Sequence, residues 1–381
     1  MPEVVVVGAG PVGILLAAEL TRHGVDVAVL DRRESTGGGS RAIGLHAPVL
    51  AALEASGTTE RLLSGAVRVT RGECRADGRV LGTVHFDRLA ARFPFVATLP
   101  QSATEAALGH GAPEPVRGTT VSALRGARGA HGDRVRVIAG DAGEWDAAIV
   151  VVASGAGGRD LVYRRKGLAV HRYPDRYLMA DADVPARADA DVAVVSLARG
   201  GVLESFPLPA GRRRFVAWDG RGDDPVPASR DERLRRSLAE RGEAEAAAHV
   251  SGATAFRVRR AVAPRLRRGR VLVVGDAAHE VSPIGGQGMN LGLLDAAGLA
   301  PLLAEWVRTG IAPDAALERW ERRRVRSARV AAGIAAVNTS LGRPRDGAGH
   351  AVRSTMLRAA LGGPTGVLFA HAYAMGFDRG I

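Results

Sequence analysis

The sequence predicts an α/β fold in which a parallel sheet is interrupted by an antiparallel β-sheet domain and followed by C-terminal helices. Three observations predict it. The chain opens on a continuous β-branched run, Val4 to Val7, followed at once by Gly8-Ala9-Gly10-Pro11-Val12-Gly13 and an apolar helical stretch. Its middle, from about residue 160 to 257, reads as strands divided by polar and Pro-rich turns. A second buried run, Val271 to Val274, ends in Gly275-Asp276 and leads through a proline and glycine loop into another helix.

The first run has the unbroken apolar character of a strand buried on both faces. ILLAAELTRHG then carries helical periodicity and stops at Gly24, and VDVAVLD, residues 25–31, is a second strand ending in an acid. The acid follows the glycines by about 20 residues, the register of a dinucleotide-binding βαβ unit. Gly8 permits the tight turn, Gly10 lets the backbone approach a pyrophosphate, and Gly13 lets the helix pack on the strand. The helix opening at Pro11 and Val12 turns its N-terminal N–H groups toward phosphate. Asp31 is placed to accept hydrogen bonds from a ribose, with Arg32 beside it. This unit alone does not separate NAD from FAD.

Between about 114 and 153 the pattern changes to short strands: VRGTTVSALRGA and RVRVIAG read as a hairpin, and EWDAAIVVVASGAGG as a buried strand entering a glycine-rich turn. In the antiparallel region VAVVSLA, GVLESFPLPAG and RRRFVAWDG are the clearest strands. The expected organisation is residues 1–160 as the first part of the cofactor domain, with an excursion into the substrate domain near 67–97. Residues 161–257 then form the β-sheet substrate domain, 258–330 the second part of the cofactor domain, and 331–381 a C-terminal helical segment.

Composition excludes several classes. The formal charge of +12 is carried almost wholly by arginine, Lys166 being the one lysine, and is spread along a chain with only 4% aromatics, so no nucleic-acid platform is visible. An anionic small-molecule substrate stays open. The single cysteine, Cys74, gives neither an intramolecular disulfide nor a thiolate metal site, which fits a cytoplasmic protein without bound metal. MPEVVVVGAG lacks the features of a signal peptide, and apolar runs at 4–7, 147–153 and 271–274 are far shorter than a membrane span, so no membrane insertion is expected.

The second glycine loop sharpens the ligand. Asp276 repeats the geometry of Asp31, a carboxylate at the carboxyl end of a buried parallel strand, where open α/β sheets bind ligands. A ligand that meets both sites must be long, and FAD is. On this reading Asp276 accepts from the ribityl side, and Gly285, Gly286 and Gly288 let the backbone lie against a flat ring. The helix beginning near Met289 points its positive end where reduction of a flavin places negative charge.

GAGPVG, Asp31-Arg32-Arg33, Ser40-Arg41-Ala42, Leu99-Pro100-Gln101 and above all GDAAHEVSPIGGQGMNLG identify the chain as similar to the group A flavoprotein aromatic hydroxylases. This single-component monooxygenase family includes para-hydroxybenzoate hydroxylase and many polyketide-tailoring hydroxylases. The resemblance implies a Rossmann-like FAD-binding domain of the GR2 type, with the β-sheet domain covering the isoalloxazine. It places Arg41 at the pyrophosphate, Gln101 at the ribityl chain, and Val121, on the strand after VRGTT, at the adenine through its backbone. Asp276, Pro283 and the turn from Gly286 through Gly288 and Met289 to Asn290 surround the flavin. Ala153-Ser154-Gly155 stands where the family has an Asp-Gly pair linked to both FAD and nicotinamide binding, so serine replaces the acid and brings no charge. The chain resembles the shorter members, without a thioredoxin-like domain.

The implied reaction is hydride transfer from NAD(P)H to FAD, capture of O2 as a C4a-hydroperoxyflavin, and delivery of one oxygen to an aromatic or polyketide-like molecule, by a monomer or homodimer. Groups able to help deprotonate a phenol are sought around Phe206, Arg213, Arg214 and Trp218, whose strand phase the sequence leaves open. His46 and His279 read as structural. Baeyer–Villiger oxidation, epoxidation or reduction on the same scaffold remain alternatives, as does a flavin-binding protein that does not oxidise NAD(P)H. Halogenation needs an active-site lysine early in the chain, and Lys166 comes too late.

Overall fold

The computed structural model describes residues 1–35, 42–129, 132–140, 143–163, 167–221, 229–362 and 365–378. Strand β1 (Val4–Val7), helix α1 (Pro11–Arg22) and strand β2 (Val27–Leu30) open the chain. They are followed by β3 (Gly44–Leu45), α2 (Ala47–Ala52), α3 (Thr58–Leu63), β4 (Val67–Val69), β5 (Arg71–Ala76), β6 (Arg79–His85), β7 (Val96–Thr98) and α4 (Gln101–Leu108). Next come β8 (Ala123–Gly129), β9 (Gly132–Ile138), β10 (Glu144–Ala147), β11 (Ile149–Val152) and a 3-10 turn, Gly155–Leu161. The middle holds β12 (His171–Asp183), β13 (Ala193–Ala198), β14 (Gly201–Leu208), β15 (Arg212–Arg221), α5 (Ser229–Ala239), α6 (Ala244–Ala248) and β16 (Thr254–Val262). The chain closes with β17 (Arg267–Arg268), β18 (Val271–Val273), β19 (His279–Glu280), α7 (Gln287–Thr309), α8 (Asp314–Leu341), α9 (Gly347–Leu361) and α10 (Thr365–Tyr373).

The core sheet has the order β17-β18-β11-β1-β2, and β1 lies between two parallel partners, pairing Val4 with Ile149 and with Val27. All four β1 valines are buried, each contributing roughly 1.5–3 kcal/mol of apolar burial. Valine suits a strand covered on both sides, and here both sides are covered. Leu15, Leu16 and Leu20 of α1 and Leu291 and Leu294 of α7 pack in one core with Val4 and Val6, while Val135 and Val137 of the β10-β9-β8 sheet pack with Val5 and Val7.

The second sheet runs β19-β16-β12-β15-β14-β13-β5-β6. Residues alternate between its faces. One face puts Leu178, Ala180, Leu203, Phe215 and Ala217 against Leu234 and Leu238 of α5 and Ala246 and Ala247 of α6. The other puts Tyr177, Met179, Val202, Val216 and Val258 against Ile284, in the second glycine loop. That second face is therefore the one aimed at the candidate cofactor site.

Several elements differ from expectation. β12, the long strand between β15 and β16, was not singled out, because Pro174 and Asp175 interrupt its apolar pattern; the pairing is irregular there. α5 and α6 stand inside a stretch read as all strand, since SRDERLRRSLA shows few apolar positions. The run EWDAAIVVV splits at Ala148 into β10, antiparallel to β9, and β11, parallel in the core sheet. α8 runs unbroken through residue 330, where a boundary was expected. Among the described residues no helix is long and apolar enough to cross a membrane.

Candidate functional site

The first glycine turn separates packing from exposure. A Cβ on Gly13 would stand 1.9 Å from the Gly8 carbonyl oxygen, and one on Gly8, whose φ is +112°, would stand 2.7 Å from the Ala153 carbonyl oxygen. A Cβ on Gly10 would meet nothing within 4 Å. Gly8 and Gly13 therefore join turn, helix and sheet, whereas Gly10 leaves backbone open to a ligand. Gly10 is also the N-cap of α1 and supplies no side-chain cap, so the N–H groups at Val12 and Gly13 remain for an anion.

Asp31 braces the turn from below. Its carboxylate accepts from Ala9 N at 2.6 Å, from Arg33 N at 2.8 Å, and from the Arg33 guanidinium at 3.1 and 3.2 Å. Burial works to raise its pKa, but the hydrogen bonds from Arg33 and Ala9 outweigh burial and hold it below the usual value. Four donors fill a carboxylate, so a ribose hydroxyl must displace Arg33. Arg32, expected at the cofactor, is exposed, its guanidinium 3.5 Å from where a Cβ on Gly157 would lie.

Ser154 ends the strand next to Gly8, and its hydroxyl is buried with no hydrogen-bond partner. Gly155 beside it has a φ of +65° and open space where a Cβ would be. Behind them Arg159 donates to the Asp276 carbonyl at 2.7 Å and pairs with Glu280 at 2.8 Å, tying this turn to the second loop.

The second loop is fixed from behind by a cluster that the sequence did not reveal. Asp295 of α7 accepts from Gly275 N at 3.0 Å, lies 2.6 Å from His279 Nε2, and receives Arg324 Nε of α8 at 2.8 Å. Arg324 also donates to Asp378 at 2.8 Å. Burial alone would raise the Asp295 carboxyl, but His279 and Arg324 more than reverse it. His279 thus holds structure together, as read. Asp276 itself is exposed, and Pro283 is exposed two residues before Gly285.

α7 begins at Gln287, two residues earlier than expected, with Gly286 as N-cap at a φ of +68° and no side-chain cap. Gln287, Gly288 and Met289 thus present the uncapped N–H groups. The Asn290 side chain is fully buried, accepting from His46 N at 2.8 Å and donating to Gly44 O at 2.8 Å and Gly286 O at 3.0 Å, so it clips two loops together. The His46 ring lies against Gly286, and burial pushes its pKa down to about 4 against the opposing pull of the Gly286 backbone.

Gln101 opens α4 and donates to Glu105 at 2.9 Å. Val121 lies two residues ahead of β8 rather than on a strand; Val116 is the residue that bridges to Leu30 of β2. Arg41 falls outside the described residues.

On the sheet face opposite, Arg213 is corrected. Its guanidinium points away from the second loop and donates to Ser205 Oγ, Ser205 O, Asp189 O and Val192 O at 2.7–3.1 Å, with burial lowering its pKa to about 10. Arg214, one residue on, sits on the opposite face but is bound through two nitrogens to Asp181 at 2.6 and 2.8 Å. Phe206 and Trp218 are half-buried on that same face, Trp218 donating to Asp175 at 3.1 Å. Glu204, two residues from Phe206 on β14, and Tyr177, opposite Trp218 on β12, which no motif marked, are buried on the same face.

These features suit FAD: an open backbone at Gly10, two uncapped helix ends, and the orphaned Ser154 hydroxyl and buried His46 ring along one path from the first loop to the second. The 6-methylpretetramide 4-monooxygenase of Streptomyces rimosus is 35% identical over 338 residues, covering 85% of this chain and 59% of that relative. A rifampicin monooxygenase of Streptomyces venezuelae is 31% identical over 334 residues, covering 85% of this chain and 68% of its own length. The chain thus spans only part of these relatives. The crystal structure of p-nitrophenol 4-monooxygenase from Pseudomonas putida superposes with a TM-score of 0.86 over 100% of this chain and 99% of that one, at 22% identity, a likeness of fold. The FAD binding domain family matches residues 1–335, and to that family the chain belongs.

Proposed function

We propose that the protein is an FAD-dependent monooxygenase that uses NAD(P)H and O2 to place one oxygen on an aromatic, polyketide-like molecule. The observation that carries this reading is the opposition of the second glycine loop to an apolar, aromatic sheet face, joined through Ile284 packed with Tyr177, Met179 and Val216. When bound, FAD supplies the redox chemistry and the activation of O2. The chain supplies the rest. Gly10 and the start of α1 receive the pyrophosphate. The N–H groups of Gln287, Gly288 and Met289 stabilise negative charge at the edge of a ring laid on Gly285 and Gly286. Phe206, Trp218 and Pro283 give a substrate ring apolar surface and keep water away. The named relatives, a 6-methylpretetramide 4-monooxygenase and a rifampicin monooxygenase, support the substrate class.

Anaerobic mixing of FAD-loaded protein with NADPH and then NADH tests the reading. Bleaching of the visible flavin band, faster with a phenolic polyketide present, is the expected result. Ser154 favours a second reading, a flavin-binding protein that NAD(P)H does not reduce, and flavin that loads but never bleaches would select it.

A further inference from the structure

The sheet face that looks toward the second glycine loop holds one buried acid that has no countercharge among the described residues. Glu204 lies in the interior of β14, paired in register with Val195 of β13 and Val216 of β15, and is 3% exposed. No hydrogen bond or ion pair reaches its carboxylate among the described residues. Burial is the sole influence on its titration, and it pushes the carboxyl up to about 8. A buried carboxylate without a partner is costly, and across β15 on the same face lies a second orphan, the fully buried Tyr177 hydroxyl, whose titration is raised by burial first and then by Asp175 and Glu204.

The other polar groups around this face are engaged or neutral. Arg214 is paired with Asp181, and Asp175 with Arg343 at 2.7 Å and with Trp218. Cys74 of β5, in register with Val195, is pushed up to about 11 by burial, the nearby Arg353 acting weakly the other way. Tyr373 of α10 is driven well above the usual phenol range by burial and then by Glu204. His46 stands on the cofactor side, at Gly286, and is neutral near pH 7. Half-buried Phe206 and Trp218 flank Glu204 on this face, and exposed Pro283 precedes Ile284 on the loop packed against it.

We propose that Glu204 is the proton acceptor for an acidic hydroxyl on the aromatic substrate, with the Tyr177 hydroxyl as the second hydrogen-bonding partner of that oxygen. This rests on the reading of the second loop as the flavin seat. The substrate O–H bond breaks as a carboxyl O–H bond forms. The ring oxygen keeps the electron pair, and nothing is oxidised or reduced in this step. The ring so enriched in electrons is the better acceptor of an electrophilic oxygen. The substrate class is then narrower than aromatic: it carries a phenol or enol hydroxyl at the edge that meets β14.

The test uses FAD-loaded protein and 4-cyanophenol as probe, with affinity read from perturbation of the visible flavin band between about pH 6 and about pH 10. If one proton is shared between Glu204 and the phenol oxygen, binding takes up a proton once both free groups are ionised, and affinity falls about tenfold per pH unit above about pH 8. In Glu204→Gln that slope disappears. In Tyr177→Phe the slope stays and affinity drops several-fold at every pH. A flat wild-type profile, an unchanged slope in Glu204→Gln, a slope lost in Tyr177→Phe alone, or no perturbation by the phenol overturns the assignment while leaving the flavin reading intact. Protein that does not load FAD overturns both.

Discussion

The two glycine loops are held by different means. The first is held by close packing: Gly8 and Gly13 touch backbone so tightly that no side chain fits, and Asp31 braces the turn through Ala9 N. The second is held by charge, a fully buried Asp295 fastened to Gly275, His279 and Arg324. A loop fixed by packing fails when volume is added. One fixed by a buried ion cluster fails when a charge is removed.

The largest effect is expected at that cluster. Asp295→Asn leaves Arg324 and His279 facing a neutral amide in a dry interior, and loss of one partner of a buried pair costs roughly 3–5 kcal/mol. Denaturant unfolding should show it. Asp276→Ala, on the exposed side of the same loop, should leave unfolding within about 0.5 kcal/mol of wild type and weaken FAD retention. If both variants unfold alike, the cluster is not what holds the loop.

At the first loop the paired variants are Gly13→Ala and Gly10→Ala. The methyl on Gly13 must push α1 off β1, at a cost of about 1–3 kcal/mol. The methyl on Gly10 meets nothing, so stability should hold while FAD affinity falls. Equal loss of affinity with equal loss of stability would mean that Gly10 serves the fold rather than the ligand.

These contrasts also explain what the sequence made legible. Glycine spacing is a local property, so the turn at Gly8, Gly10 and Gly13 and the loop at Gly285, Gly286 and Gly288 could be read without a structure. Arg33 could not, because DRR offers two arginines and only the folded turn selects the one that closes on Asp31. The substrate face was hidden for a different reason. β14 is covered on both sides, so Val202, Leu203, Glu204 and Ser205 are all buried and the alternation that would fix strand phase is absent. Without phase, Arg213 and Arg214 looked equivalent, although they point to opposite faces.

His46 gives a smaller, pH-dependent contrast on the cofactor side. Its folded pKa, about 4, lies below the ordinary value of 6.5, so the unfolded chain binds more protons between the two. This group's contribution to stability is complete above about pH 6.5 and is lost as pH falls toward 4. Glu204 has the opposite sign: with a folded value of about 8 against 4.5, stability declines as pH rises from 4.5 to 8. Between about pH 4.5 and 6.5 the two slopes oppose each other, so His46→Gln should uncover the decline due to Glu204 in that range of a melting-temperature profile, whereas Glu204→Gln should uncover the rise due to His46 and abolish the decline from 6.5 to 8. A profile left unchanged in that range by either variant would show that these two groups do not set it.

The last contrast, and the most informative about function, is at Ser154. Its orphaned hydroxyl stands at the turn that Arg159 ties to Asp276, between the two loops. Ser154→Asp restores a carboxylate where the resembling family places one. It is buried beside Gly158, where a Cβ would stand 1.7 Å from the present hydroxyl, so the added oxygen has little room except toward the cofactor path. If that path still receives NAD(P)H, the variant should bleach bound FAD faster than wild type in anaerobic mixing, with FAD affinity little altered. An unchanged bleaching rate would mean that reduction is governed elsewhere, and that serine here marks a site no longer organised around a charge.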